Sequence, residues 1–139
     1  MSMSDAARGT VVALTAATEA FLTENQHLGT LTTIRENGTP HVAPVRFTWD
    51  QQAGLVRVMT TVTRQKARNL LGAGGARAAV CQVAGGDWIT LEGAAVVSTD
   101  PERLREGIRR YTRRYWAPPP QPPGLAVIEI TVDRVLGLR

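Results

Sequence analysis

Asn37-Gly38 stands between two β-prone runs, LGTLTTIRE (28–36) and TPHVAPVRFTW (39–49), and it narrows the fold more than any other feature of the chain. Asn-Gly at this spacing predicts a hairpin with a type I′ turn, which needs positive φ at both central residues. Asp50 to Gly54 makes a second turn into LVRVMTT (55–61), so the first half reads as three antiparallel strands. TRQKARNLL (63–71) then switches to a helical pattern, with Thr63 as its cap and Leu70 and Leu71 as its apolar side. GAGG at 72–75 ends that helix.

The second half continues in the same way. ARAAVCQV (76–83) is a fourth strand, Gly85-Gly86 a tight turn and DWITLEGAAVVS (87–98) a fifth strand, in which Gly93 marks a bulge or a close backbone approach. Asp100-Pro101-Glu102 opens a helix that runs to about Trp116, with its cap before a proline. APPPQPPG (117–124) holds five of the eight prolines and forms a stiff, extended connector. LAVIEITVDRVLGL (125–138) closes the chain as a sixth strand. At the other end, Val12, Ala16 and Ala20 with Leu14, Phe21 and Leu22 predict an amphipathic helix over residues 5–24, ending near Asn25. The expectation is a mainly β chain, one domain over 1–139, with a helical N-terminal segment 5–25 and a small antiparallel barrel of about six strands over 28–137.

Composition excludes several classes. The apolar share of 43% and charged share of 20% fit a globular chain rather than a disordered one. No run approaches ~18 apolar residues, so a transmembrane helix is not expected. MSMSDAARGT carries an acid and lacks the basic and apolar regions of a secretory signal. The lone Cys81 cannot form an internal disulfide, and the expected compartment is the cytoplasm. His27, His41 and Cys81 are too dispersed for a structural zinc site, and no metal is expected. No dinucleotide fingerprint or P-loop is present.

The net charge is +4, and fifteen of the sixteen basic residues are arginine; the exception is Lys66. Lysine differs most from arginine where a compact point charge is useful, as against a phosphate. Lys66 lies in VMTTVTRQKARNL (58–70), where a strand rich in hydroxyls enters a helix whose start carries Arg64, Gln65 and Lys66. Backbone donors at a helix start, two cations and threonine hydroxyls suit a phosphate cradle. The same segment also reads as a basic, solvated surface helix.

These stretches resemble the FMN-binding split-barrel superfamily, the pyridoxamine-phosphate-oxidase-like proteins, and within it the branch that uses the deazaflavin coenzyme F420. The resemblance rests on LGTLTTIRENGTPHVAPVRFTWD (28–50), VRVMTTVTRQKARNLL (56–71), WITLEGAAVV (88–97) and VIEITVDRVLG (127–137), with TRQKARNL matching the family's phosphate-binding turn. The tail RRYWAPPPQPPGLAVIEITVDRVLG is similar to that of the F420-dependent biliverdin reductases. The resemblance implies a split β-barrel and a homodimer with two cofactor sites at its interface. Gln65 and Lys66, with Arg64 beside them, take the positions that contact the cofactor phosphate. Met59, Thr60 and Thr61 border the phosphate and ring, Val45 and Arg46 line the ring, and Trp88 lies where a partner subunit reaches across. The chain ends VLGLR without the arginine-rich motif that clasps pyridoxal phosphate, contrary to vitamin B6 oxidation.

The implied activity is hydride transfer from reduced F420 to a conjugated small molecule, of which a biliverdin-like tetrapyrrole is one candidate. No residue stands out as proton donor; solvent or a nearby arginine could serve. Two other functions stay open: an FMN- or haem-binding protein without reductase activity, and a nucleic-acid-binding module built on RLREGIRRYTRRYW (103–116), with its six arginines and three aromatics. In that helix Leu104, Ile108, Tyr111 and Tyr115 form a stripe expected to face the body, leaving Arg105, Arg109 and Arg113 for an anionic partner such as the oligoglutamate tail of F420. His41 reads as either a site residue or a solvated strand histidine, Glu92 as a barrel-mouth carboxylate or a strand-edge ion pair, Cys81 as a buried small hydrophobe, and Trp49, Trp88 and Trp116 as core or interface anchors.

Overall fold

Runs of β-branched residues punctuated by glycine turns pair into one antiparallel sheet. The computed structural model describes residues 11–72 and 76–137. In chain order the elements are α1 (Ala16–Thr23), β1 (Gly29–Ile34), β2 (Pro40–Val45), β3 (Thr48–Asp50), β4 (Leu55–Thr61), α2 (Gln65–Leu71), β5 (Ala76–Ala84), β6 (Asp87–Ser98), α3 (Pro101–Tyr115) and β7 (Leu125–Gly137). The strands lie in the order β2-β1-β5-β6-β7-β4-β3. There are seven strands, not six, because the run 39–49 breaks at Arg46-Phe47: β2 pairs with β1, and β3 pairs with β4.

That break determines the shape. β2 and β3 are the two edges of the sheet, yet only Arg46 and Phe47 separate them in sequence. Three Cα–Cα steps reach at most about 11 Å, so the sheet must curl until its edges face each other. The result is a split barrel in which a bent chain, not a β2–β3 ladder, joins the edges. The interior is filled by alternate residues of the strands, among them Leu31, Val80 and Leu91 across β1, β5 and β6, and Val56 and Ile130 across β4 and β7, none more than 1% exposed.

The bend is clamped by the C-terminal end of α3. The Tyr115 hydroxyl accepts from Phe47 N–H at 3.1 Å and shares its proton between the carbonyls of His27 (2.9 Å) and Phe47 (3.0 Å). Arg114, only 5% exposed, donates to the carbonyls of Asn25 (2.8 Å) and Phe47 (2.7 Å) and to Gln82 Oε1 (2.8 Å). No carboxylate joins it among these partners; its guanidinium also stacks 4.7 Å from the Phe47 ring centroid. α3 approaches the sheet closely at Gly107, where a Cβ would lie 2.6 Å from Met59 Sδ. Gly93 occupies a register shift after Glu92, and a Cβ there would meet the Thr131 carbonyl oxygen at 1.8 Å, so both readings of that glycine hold together.

Several local expectations change. The Asn37-Gly38 hairpin is present, but only Gly38 of the pair has positive φ (87°), and Arg35 N–H bonds to the Thr39 carbonyl at 2.8 Å. This is a three-residue hairpin with a glycine bulge, not a type I′ turn. The first described helix starts at Ala16 because the Thr15 side chain caps it, accepting from Thr18 N–H; residues 11–15 are not helical, and 5–10 lie outside the described residues. Thr63 does not cap α2; Arg64 is the N-cap residue, and Thr63 Oγ1 instead lies 3.1 Å from Thr61 Oγ1. On α3 the buried residues are Gly107, Tyr111, Arg114 and Tyr115, with Leu104 and Ile108 only half-buried. Arg105 and Arg109 are held by Glu102 and Glu106 one turn back, so of the three arginines expected in water only Arg113 lacks an ion pair among the described residues.

Tyr115→Phe removes the acceptor from a buried Phe47 N–H, and should lower unfolding stability by about 1–3 kcal/mol. Urea denaturation with an unchanged slope checks this. A loss within about 0.5 kcal/mol, the range of a neutral surface change, would show that the clamp does not hold the bend.

Candidate functional site

β4 ends in Met59, Thr60 and Thr61, and after a two-residue turn Arg64 leads into α2. The helix is only seven residues long, so its dipole adds little, and side-chain cations carry the local positive potential. Lys66 is half-buried, and burial, then the charge of Arg64, pulls its pKa below the ordinary lysine value of 10.5.

These residues edge a cleft of about 390 Å³. One wall is the end of β4 with Arg64 and Lys66. The opposite side is the end of β2, Pro44 and Val45, running into Arg46 at the bend. Tyr111 of α3, the prolines 119, 120 and 122, and Leu125 complete it. Arg46 is fixed by a hydrogen bond from Nη1 to Tyr111 Oη at 2.9 Å and lies 5.2 Å from the Tyr115 ring centroid. Among the described residues no carboxylate pairs with Arg46, Arg64 or Lys66. Thr60, 8% exposed, has a buried hydroxyl with no hydrogen-bond partner. Three uncompensated cations, an unspent hydroxyl and an apolar proline wall suit a ligand with anionic oxygens at one end and a flat, apolar body.

Of the nine residues singled out from the sequence, Val45, Arg46, Met59, Thr60, Thr61, Arg64 and Lys66 line this cleft. Gln65 does not. It turns along α2, donating to Asn69 Oδ1 and accepting from Arg68, both at 2.6 Å. Trp88 does not either; it lies on the outer face of β6 opposite Val83, 45% exposed. Tyr111 and the proline strap were missed as lining residues. The strap returns to the cleft because β7 pairs with β4 from Leu125 opposite Thr61, and Gly124 accepts from Val62 N–H. Proline content alone signals stiffness, not that return.

The other candidates resolve individually. His41 is half-buried, outside the cleft lining, with Nδ1 unpartnered. Glu92 approaches Arg134 at 4.0 Å, the strand-edge reading. Cys81 is half-buried rather than buried. Trp49 is 4% exposed, the core reading, whereas Trp116 is 78% exposed and is not a core anchor.

A split β-barrel with a cation-edged cleft at its bend is the class of protein that this fold and site define. The family model for pyridoxamine 5'-phosphate oxidase matches residues 14–139, and the chain belongs to that family. It is 44% identical over 118 residues to an F420H(2)-dependent biliverdin reductase of Mycobacterium tuberculosis, covering 85% of this chain and 83% of that relative. Among solved structures, one titled F420 reductase superimposes with a TM-score of 0.66 at 24% identity, covering 84% of this chain and 94% of the other. A haem storage protein of Vibrio cholerae superimposes with a TM-score of 0.68 at 13% identity, covering 90% and 95%. These two likenesses show the shared fold.

Because Lys66 is the only lysine, its Cε resonance titrates without overlap. Its midpoint should lie below that of a free lysine and rise in Arg64→Gln; a midpoint at or above the ordinary value would contradict the cleft's electrostatics. Folding depresses this pKa, so the unfolded chain holds the proton more tightly. Stability from this group therefore rises as pH climbs from the folded pKa toward 10.5.

Proposed function

We propose that this chain is a reductase that binds reduced coenzyme F420 in the cleft and passes its hydride to a conjugated, biliverdin-like tetrapyrrole. The observation that carries the reading is the set of uncompensated Arg64 and Lys66 beside the unspent Thr60 hydroxyl, in a chain 44% identical to a reductase of that name. Lys66 and Arg64, with Thr60 and Thr61, would hold the phosphate; Val45, Arg46 and Met59 would border the ring. The coenzyme supplies the hydride, which no side chain of the chain can. The protein's part is to orient the ring and keep water out: Tyr111 fixes Arg46, and the proline strap offers a stiff wall with few N–H donors. No lining residue is assigned as proton donor, and solvent or Arg46 would supply the proton.

The working unit is proposed to be a cytoplasmic homodimer. Register puts Thr30, Thr32 and Ile34 of β1 on one outer face with Val42 of β2, Cys81 and Val83 of β5, Trp88 and Thr90 of β6, and Leu136 of β7. Of these, Ile34, Val42, Val83, Trp88 and Leu136 are 36–64% exposed, apolar side chains that favour burial against a second copy, with Arg77, Glu92 and Arg134 on the same face beside them. Trp88 and Gln65 would then act from that side. Among the described residues no helix is long and apolar enough to cross a membrane.

Titration with F420 and FMN side by side tests the coenzyme, and consumption of reduced F420 in the presence of biliverdin tests the activity. Lys66→Ala should weaken F420 binding by about 1.5–3 kcal/mol, roughly 10- to 150-fold, without unfolding the chain. An unchanged dissociation constant, or tight FMN binding with none of F420, would overturn the assignment. Light scattering at micromolar concentration should give twice the chain mass; a monomer throughout would contradict the dimer.

A further inference from the structure

A second cavity lies between α1, β3 and the C-terminal half of α3, and encloses about 680 Å³. That is within the roughly 300–1,000 Å³ of small-molecule sites. Arg110, Arg113 and Arg114 line it, whereas their neighbour Tyr111 lines the cleft, so the two spaces share a helix but none of their lining residues.

Most of the polar groups here are already committed. Arg114 donates to two backbone carbonyls and Gln82, and Arg110 is held by Asp50 (3.2 Å) and Glu106 (2.5 Å). Two groups are not. Thr48 is 6% exposed, and its Oγ1 has no hydrogen-bond partner. Arg113 is exposed and makes no ion pair or hydrogen bond among the described residues. The lining also includes Trp49, 4% exposed, and the fully buried Leu22. An unsatisfied buried hydroxyl is costly, and a ligand oxygen would satisfy it.

The geometry points to a second ligand site in this cavity, for an organic monoanion: a carboxylate on a flat, apolar body. The guanidinium of Arg113 matches a carboxylate with two parallel donors. The body would lie against Trp49, and Thr48 would meet an oxygen. Glu19, on the α1 side of the cavity, disfavours a second negative charge such as that of a phosphate monoester.

Benzoate is the probe, with benzamide as its neutral counterpart of the same shape. In the Trp88→Phe/Trp116→Phe chain, Trp49 is the only indole and reports occupation by its fluorescence. Benzoate should give a saturable change at lower concentration than benzamide. Arg113→Ala should weaken benzoate about tenfold, as loss of one charge-assisted hydrogen bond implies, and abolish its advantage over benzamide. Thr48→Val, nearly the same shape, should weaken both probes, and Lys66→Ala should leave both unchanged. No saturable change with benzoate, or one lost in Lys66→Ala but kept in Arg113→Ala, would overturn the proposal. Because Lys66→Ala acts on the coenzyme cleft alone, failure here is distinguishable from failure of the coenzyme reading.

Discussion

Everything in this barrel depends on the short connection through Arg46 and Phe47. A two-residue link between the outermost strands forces the sheet to curl, and it leaves the Phe47 peptide without a ladder partner inside the barrel's seam. Peptide groups buried there must find partners, since an unpaired one costs as much as the loss of a hydrogen bond. Tyr115 and Arg114 provide them, receiving the Phe47 N–H and donating to its carbonyl. The same residues reach His27, Asn25 and Gln82, so one turn of α3 ties the bend to the segment before β1 and to β5. Arg46 projects from the clamped bend into the cleft, which makes the geometry of the candidate site a consequence of the fold's closure.

The arginine excess is used structurally. Arg57 joins Asp50 at 2.8 Å and approaches Glu129 at 3.7 Å under α3, and Arg103 and Arg110 add to the same carboxylates. Mutual pairing in this partly dry layer keeps the Asp50 carboxyl below the ordinary aspartate value despite the opposing effect of burial. A planar guanidinium with five donors can serve several acceptors at once, as Arg114 does with three neutral oxygens. Lysine could not. The helix that resembles a nucleic-acid reader in sequence thus ties three of its six arginines, 103, 110 and 114, to buried partners in the barrel.

Local chemistry was legible in the sequence where it is decided locally. Strands β4 and β6 have the limits that their turns imply, Asp100 caps α3 by accepting from Arg103 N–H, and Gly93 is a bulge. The seven cleft residues were legible through the family resemblance, since a segment of cations and hydroxyls alone reads equally as a solvated helix. What was not legible depends on distant partners. The break at Arg46-Phe47 has no breaker residue and arises from strand pairing to opposite edges. Burial of Arg114 follows from the clamp and runs against the usual exposure of arginine. Gln65 and Arg64 are adjacent in sequence, yet the geometry of α2 turns one toward Asn69 and the other to the cleft.

The most direct test of the coenzyme reading is a crystal structure of the chain grown with F420. The expected result is a phosphate within hydrogen-bonding distance of Lys66 Nζ and the Thr60 hydroxyl, with the ring system against Val45 and Arg46. Coenzyme bound away from Lys66, or with its phosphate on Arg113 across α3, would contradict it.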